Sequence, residues 1–318
     1  MIDFIGKKRW FFLISEILVI VGIISLVISQ IQINSPLQLG IDFTGGTSMI
    51  LQFTPADSHE VSWHDFQGQL RQEMAELGYD EARIQGAEEG SFIIYTREIT
   101  SDEARELAGK LGTELDSQVE ITDYYLVSAT VAAETARNAL IAVIIAAVAM
   151  LFYIVWAFRR MPSPFRWGTC AIIALIHDVF IIVGIFSVLG WVAGVAIDAL
   201  FITGLLAVVG YSINNTVVIF DRIRENVLRH IKPDFAEIVN DSLIETLGRC
   251  LNTALTTLFV LLALLLFGGA TIHYFVLVLL LGVIIGTYSS ICISSQFLVV
   301  WEKREWRALL PFAKRTAQ

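Results

Sequence analysis

WFFLISEILVIVGIISLVISQ occupies residues 10–30, and reading it decides what kind of protein this is. Glu16 is its one ionisable residue. A bilayer's hydrocarbon core is spanned by roughly 20 apolar residues of helix, and this run is long enough to do so. Stretches 138–158, 167–189, 199–220, 250–267 and 274–300 pass the same test. The last is longer than needed, so it must tilt or run into the interface. Composition agrees. The 318 residues are 55% hydrophobic and only 17% charged, with a mean hydropathy of +0.67. Soluble domains carry roughly 25% charged residues. Lys7, Lys8 and Arg9 precede the first run, which is long for the apolar core of a signal peptide. It continues into Gln30-Ile31-Gln32-Ile33 rather than a small-residue cleavage site. The expectation is an uncleaved first span.

Basic residues set the orientation. They cluster before span one, between spans two and three (Arg159, Arg160, Arg166), between spans four and five (Arg222, Arg224, Arg229, Lys232) and after span six (Lys303, Arg304, Arg307, Lys314, Arg315). The short connections 190–198 and 268–273 contain no Lys or Arg. Every cluster falls on one side, so both termini are expected in the cytoplasm. The chain divides into a first span (1–30), an extracytoplasmic domain (31–137), a five-helix bundle (138–300) and a cytoplasmic tail (301–318). The long loop holds about 19 acidic and about 6 basic residues, which accounts for the net charge of −9. That acidity suits solubility and argues against nucleic acid as a partner.

The loop reads as β-α-β-β-α-β. Residues 47–53 alternate, with Met49, Leu51 and Phe53 on one face. A helix follows over 59–77, striped by Val61, Phe66, Leu70, Met74 and Leu77 and stopped by Gly78. Strands are expected near 82–85 and 92–96, separated by the turn at Glu88-Glu89-Gly90. A second helix starts around 100–103 with Ser101 as N-cap, and a last strand covers 119–127. This order is the split βαβ, ferredoxin-like pattern.

Ionisable groups at lipid depth are costly, so they mark functional candidates. Arg249, Asn252, Thr253 and Thr256 recur at three- and four-residue spacing and form one stripe. Gly204, Val208, Tyr211, Ser212 and Asn215 form another. Both stripes are expected to face the bundle interior, because lipid cannot satisfy them. There they either hydrate a path or hold two helices together; Arg249 either takes part or snorkels to the surface. Asp178 is either a structural hydrogen-bonding group or part of a proton path. His177 beside it is expected on a different helix face. Glu16 is expected to reach the interface. Asp221, Arg222 and Arg224 form a charge-dense end to span four, read as an interfacial anchor. Gly282, Gly286, Ser290 and Ser294 repeat every four residues, a ridge against which an internal neighbour or a partner helix packs closely.

Three motifs carry a resemblance. Leu39-Gly40-Ile41-Asp42-Phe43-Thr44-Gly45-Gly46-Thr47 is similar to the GxDFxGG signature of the SecD/SecF family of RND-type transporters. Gly210-Tyr211-Ser212-Ile213-Asn214-Asn215-Thr216, with Asp221-Arg222-Ile223-Arg224-Glu225-Asn226 downstream, resembles that family's GYSxND…DRIREN signature. Thr246-Leu247-Gly248-Arg249 and Phe267-Gly268-Gly269 also fall where the family has them. The resemblance covers nearly the whole chain. It implies an α-helical membrane protein of the bacterial inner membrane, an RND-type half with six transmembrane helices and a small α+β outer domain. It implies a SecD partner beside the SecYEG channel, an unfolded exported polypeptide as client, and proton flow as the driving force. Asp42, Gly45, Gly46, Asp221, Arg222 and Arg224 are the motif residues it points to, and Asn215 and Arg249 the proton relay; Asp178 joins that relay as a candidate on its cost at lipid depth alone. Asn215 departs from the pattern, which has Asp there. Either the Asp was exchanged deliberately, or the protein uses another carboxylate. Asn keeps the shape but carries no proton.

Other functions are disfavoured. One six-helix half with an outer domain of this size leaves little room for a drug pocket, though a small-molecule exporter and a purely structural subunit are the competing readings. The sequence presents no nucleophile–base set, phosphate loop or metal spacing, so neither an enzyme nor a cofactor is expected. His59 and His64 are unsuited to a metal pair. Cys170, Cys250 and Cys292 lie in or beside apolar runs and read as packing residues.

Overall fold

The computed structural model describes residues 3–55, 62–87, 90–229 and 232–306. Six of its helices are long and apolar enough to cross a membrane. They are α1 (Lys8–Ile33), α5 (Ala129–Ala157), α6 (Pro164–Ala193), α7 (Ala199–Leu228), α8 (Phe235–Phe267) and a last one built from three pieces. Those pieces are α9 (Ala270–Ser289), a π-helical turn (Ser290–Ser294) and α10 (Ser295–Lys303). The long final run therefore contains a π turn. The Ser295 hydroxyl donates back five residues to the Ser290 carbonyl at 3.1 Å. Two spans, α5 and α8, start well before their apolar runs. α8 begins at Phe235 because Asp234 caps it, accepting from the Ala236 amide at 3.1 Å. Its first turns bury Val239, Leu243 and Thr246 beneath a polar outer face.

The chain forms two compact units: residues Leu37–Leu140 with Leu189–Ala199, and the remainder. The first holds the α+β domain. After α2 (Ile41–Thr44) come β1 (Gly46–Pro55), α3 (Trp63–Glu76), β2 (Arg83–Gly86), β3 (Ser91–Thr96), α4 (Ser101–Glu114) and β4 (Ser117–Val127). The sheet order is β2-β3-β1-β4 with antiparallel neighbours throughout, which is the ferredoxin-like arrangement. Met49, Leu51 and Phe53 point from β1 into the core against Phe66, Leu70 and Met74 of α3 and Leu107 and Leu111 of α4. Residues 59–61 and the turn residues Glu88 and Glu89 lie outside the described residues, as do His59 and the basic residues Arg307, Lys314 and Arg315; His64 is exposed.

The N-cap of α4 is Thr100, not Ser101. Thr100 accepts from the Glu103 amide, and Glu103 accepts from the Thr100 amide at 2.7 Å, a reciprocal capping box. Those Thr100 donors hold the Glu103 carboxyl below its ordinary range. A carboxyl lowered by folding stabilises above its unfolded pKa and loses that contribution as pH falls through the folded value.

The tandem glycines are required by geometry. Gly45 and Gly46 have φ of +76° and +123°. A Cβ on Gly46 would lie 2.5 Å from the Thr96 carbonyl oxygen on β3. Gly46→Ala is expected to destabilise the α+β domain by about 1–3 kcal/mol. Lost amide-exchange protection in β1 and β3 would show it, and unchanged protection would contradict it. Thr100→Ala is expected to cost ~1 kcal/mol, with wild-type protection of the first α4 turn falling toward the variant's as the solution is acidified.

Candidate functional site

The second unit is centred on α6, α7 and α9, the most buried of the long helices. Helices approach this closely only where side chains are small. A Cβ on Gly282 would meet Val208 Cγ2 at 2.0 Å, and one on Gly286 would meet Ser212 Cβ at 3.0 Å. The small-residue ridge thus packs on an internal neighbour, α7.

That close approach assembles a polar centre. Asp178 on α6 is 1% exposed. Its Oδ2 accepts from Ser212 Oγ of α7 at 2.6 Å and from Ser289 Oγ at the end of α9 at 2.7 Å. Its Oδ1 lies 3.0 Å from His177 Nδ1. The expectation that His177 faces elsewhere is corrected. Consecutive Cβ atoms do diverge on a helix, but Nδ1 sits near the start of the side chain and bends back to the neighbouring carboxylate. The His177 side chain is 10% exposed, and its Nε2 has no partner among the described residues. Around this centre Ser290 Oγ donates to the Ser212 carbonyl at 3.2 Å and lies 3.0 Å from Thr216 Oγ1. Ser290 also opens the π turn, a feature frequent at functional sites.

Asn215 is buried on α7 one turn from Ser212, and its Nδ2 donates to Thr287 Oγ1 of α9 at 3.4 Å. The α7 stripe faces inward as expected. The α8 stripe does not, and this is a second correction. Arg249, Asn252, Thr253 and Thr256 are all exposed. The threonines satisfy their own hydroxyls, Thr253 on the Arg249 carbonyl and Thr256 on the Asn252 carbonyl, each at 3.0 Å. A self-satisfied Thr does not need a protein interior. Among the described residues Arg249 and Asn215 share no hydrogen bond. Glu16 is also exposed, on α1.

The motif residues have structural tasks. Asp42 Oδ2 accepts from the Ala199 amide at 2.8 Å, at the first residue of α7. Arg224 pairs with Asp221 at 2.7 Å. Arg222 pairs with Glu225 and crosses to Glu245 on α8. Buried Asn226 donates to Ser242 at 3.0 Å and to Glu245, so the charged end of α7 is stapled to the start of α8. All three cysteines are buried. No cluster with metal-ligand composition occurs among the described residues.

A family model described as "Protein export membrane protein SecD/SecF, C-terminal" matches residues 108–304, and one for the SecD/SecF GG motif matches 33–57. The chain belongs to the SecD/SecF family. It is 41% identical to the protein translocase subunit SecF of Thermobaculum terrenum, with 96% of each chain covered. It is 33% identical to the translocase subunit SecDF of Bacillus subtilis, covering 95% of this chain and 38% of that one. It superposes with a TM-score of 0.79 and 32% identity on the crystal structure of SecDF from Thermus thermophilus, described as translocon-associated. The match covers 95% of this chain and spans 39% of the solved one. A SecD/SecF chain of this kind is a multi-pass translocase subunit of the Sec pathway.

Sequence reading named Asp178 and Ser212 but missed Ser289. The available signal was a small polar cluster, Thr287, Ser289-Ser290 and Ser294-Ser295, inside the last apolar run. Ser212→Ala and Ser289→Ala are each expected to lower stability by about 0.5–2 kcal/mol. The double variant should cost less or more than the sum, because both hydroxyls serve one oxygen. Strict additivity in detergent unfolding would contradict a shared acceptor.

Proposed function

We propose that the chain works with a SecD-type subunit, beside the SecYEG channel in the bacterial inner membrane, to couple proton flow to late-stage export of unfolded polypeptides. In this reading both termini are cytoplasmic, as the basic residues favour. The α+β domain of residues 31–137 moves outside the cytoplasm as a handle on the client. SecD/SecF relatives in which the two halves are one chain support the SecD partnership. So does the outward polar stripe of α8: Arg249 and Asn252 toward lipid are costly, and a partner helix bearing a carboxylate relieves that cost.

Asp178 carries the proposal. Asn215 cannot exchange a proton near neutral pH. Asp178 is a carboxylate at lipid depth, buried, and met by two hydroxyls and an imidazole. Ionised, it accepts from all three. Protonated, it needs an acceptor, and Ser212 or Ser289 supplies one by rotating its hydroxyl. Two protonation states therefore favour two hydrogen-bond patterns at the contact of α6, α7 and α9. That is the bistable element which proton-driven motion requires. Asn215 holds α7 to α9 through Thr287 in either state, and Arg249 answers the partner's carboxylate.

Vesicles containing the chain, SecD and the channel test this. Asp178→Asn is expected to reduce gradient-stimulated export by tenfold or more, on the scale of a lost proton-transfer group, while leaving basal export intact. Asn215→Asp should add little. No stimulation in the wild type or in Asp178→Asn, with stimulation appearing only in Asn215→Asp, would place the proton site at 215 and make this chain a locked form.

A further inference from the structure

Where α5 ends, the chain turns through Arg159 and Arg160, and both side chains are exposed. Together with Trp156, Ala157, Arg224 and Leu228 they line a cavity of about 240 Å³ between the ends of α5 and α7. Three guanidinium groups face this cavity and one carboxylate, Asp221, balances them through Arg224 at 2.7 Å. Arg160 has no partner among the described residues, and the Arg159 guanidinium lies over the Trp156 ring, 5.1 Å from its centroid. Arg224 is held further by the Ala157 carbonyl, which accepts from its Nη1 at 3.5 Å, and by the Phe158 ring, whose centroid lies 5.8 Å from its guanidinium. The remaining wall is apolar and outward-facing, with Trp156 61% and Leu228 57% exposed. The cavity therefore combines two cations without a carboxylate partner among the described residues with an exposed apolar wall, at the ends of two apolar spans.

We propose that this cavity binds the phosphate of an anionic phospholipid headgroup, with the acyl chains lying along Trp156 and Leu228. Guanidinium forks match tetrahedral phosphate oxygens in bidentate geometry. Each basic residue near a charged lipid surface contributes about 1 kcal/mol, roughly fivefold in affinity. A soluble anion would meet the same cations but gain nothing from the apolar lip. The cleft beside Trp301 and Trp306, lined by Arg166 and Arg304, offers a contrast, because the Glu302 carboxylate is part of its wall and pairs with Arg166.

Native mass spectrometry of the full chain in detergent tests the site, with phosphatidylglycerol and phosphatidylcholine of identical acyl chains as probes. The wild type is expected to retain one phosphatidylglycerol in preference to phosphatidylcholine by about fivefold or more. Arg159→Gln with Arg160→Gln should remove the preference, Arg159→Lys with Arg160→Lys should largely keep it, and Arg166→Gln should leave it intact. Equal retention of the two lipids, or unchanged preference in the double Gln variant, overturns the proposal. So does displacement of the lipid by inorganic phosphate at matched concentration, which would make the site one for a free anion.

Discussion

Hydrocarbon offers no hydrogen bonds, so each polar group carried into it must find a partner in the protein. Asp178 shows how far that constraint reaches. Its two oxygens are met from α6, α7 and α9 at once, which requires three helices to touch at one level. Touching requires glycine or serine on the facing surfaces, and Gly282, Gly286, Ser212, Ser289 and Ser290 are placed there. The carboxylate and the small-residue ridge are thus two halves of one arrangement. A larger residue on the ridge would separate the helices and strand the acid.

The same constraint explains what faces outward. Threonines on α8 return their hydroxyls to their own helix and are tolerated on an exposed face. Arg249 and Asn252 show no such side-chain bond among the described residues, so their exposure on a lipid-facing helix is costly. Arginines also cluster at the ends of the spans. There some are neutralised by carboxylates, as Arg222 is by Glu225 and Glu245, while Arg160 has no carboxylate partner among the described residues.

Legibility in the sequence followed the strength of the underlying period. Six apolar runs and the alternation Met49, Leu51, Phe53 each encode one dominant force, burial, and both the spans and the ferredoxin-like sheet could be read directly. The boundaries were weaker. α8 begins well before its apolar run because capping by Asp234 and an amphipathic first half, not hydropathy, set its start. Ser101 was read as a cap one residue late, since Thr100 and Ser101 satisfy the local preference equally and only the reciprocal bond with Glu103 distinguishes them. The site was half legible. Asp178 stood out by cost, but its partners lie 34 and 111 residues away, and no local pattern announces a contact set by helix packing. The α8 stripe was misread for the complementary reason: spacing fixes which residues share a face, not which way the face turns.

The central claim is that Asp178 takes up and gives back a proton within this serine and histidine cage. Infrared difference spectroscopy of the membrane-embedded chain, stepped between mildly acidic and alkaline buffer, reads it directly. The account predicts a protonated-carboxyl stretching band that titrates with pH, disappears in Asp178→Asn and shifts in Ser289→Ala as a hydrogen bond is lost. A spectrum without such a band, or one in which the band persists in Asp178→Asn, would contradict it.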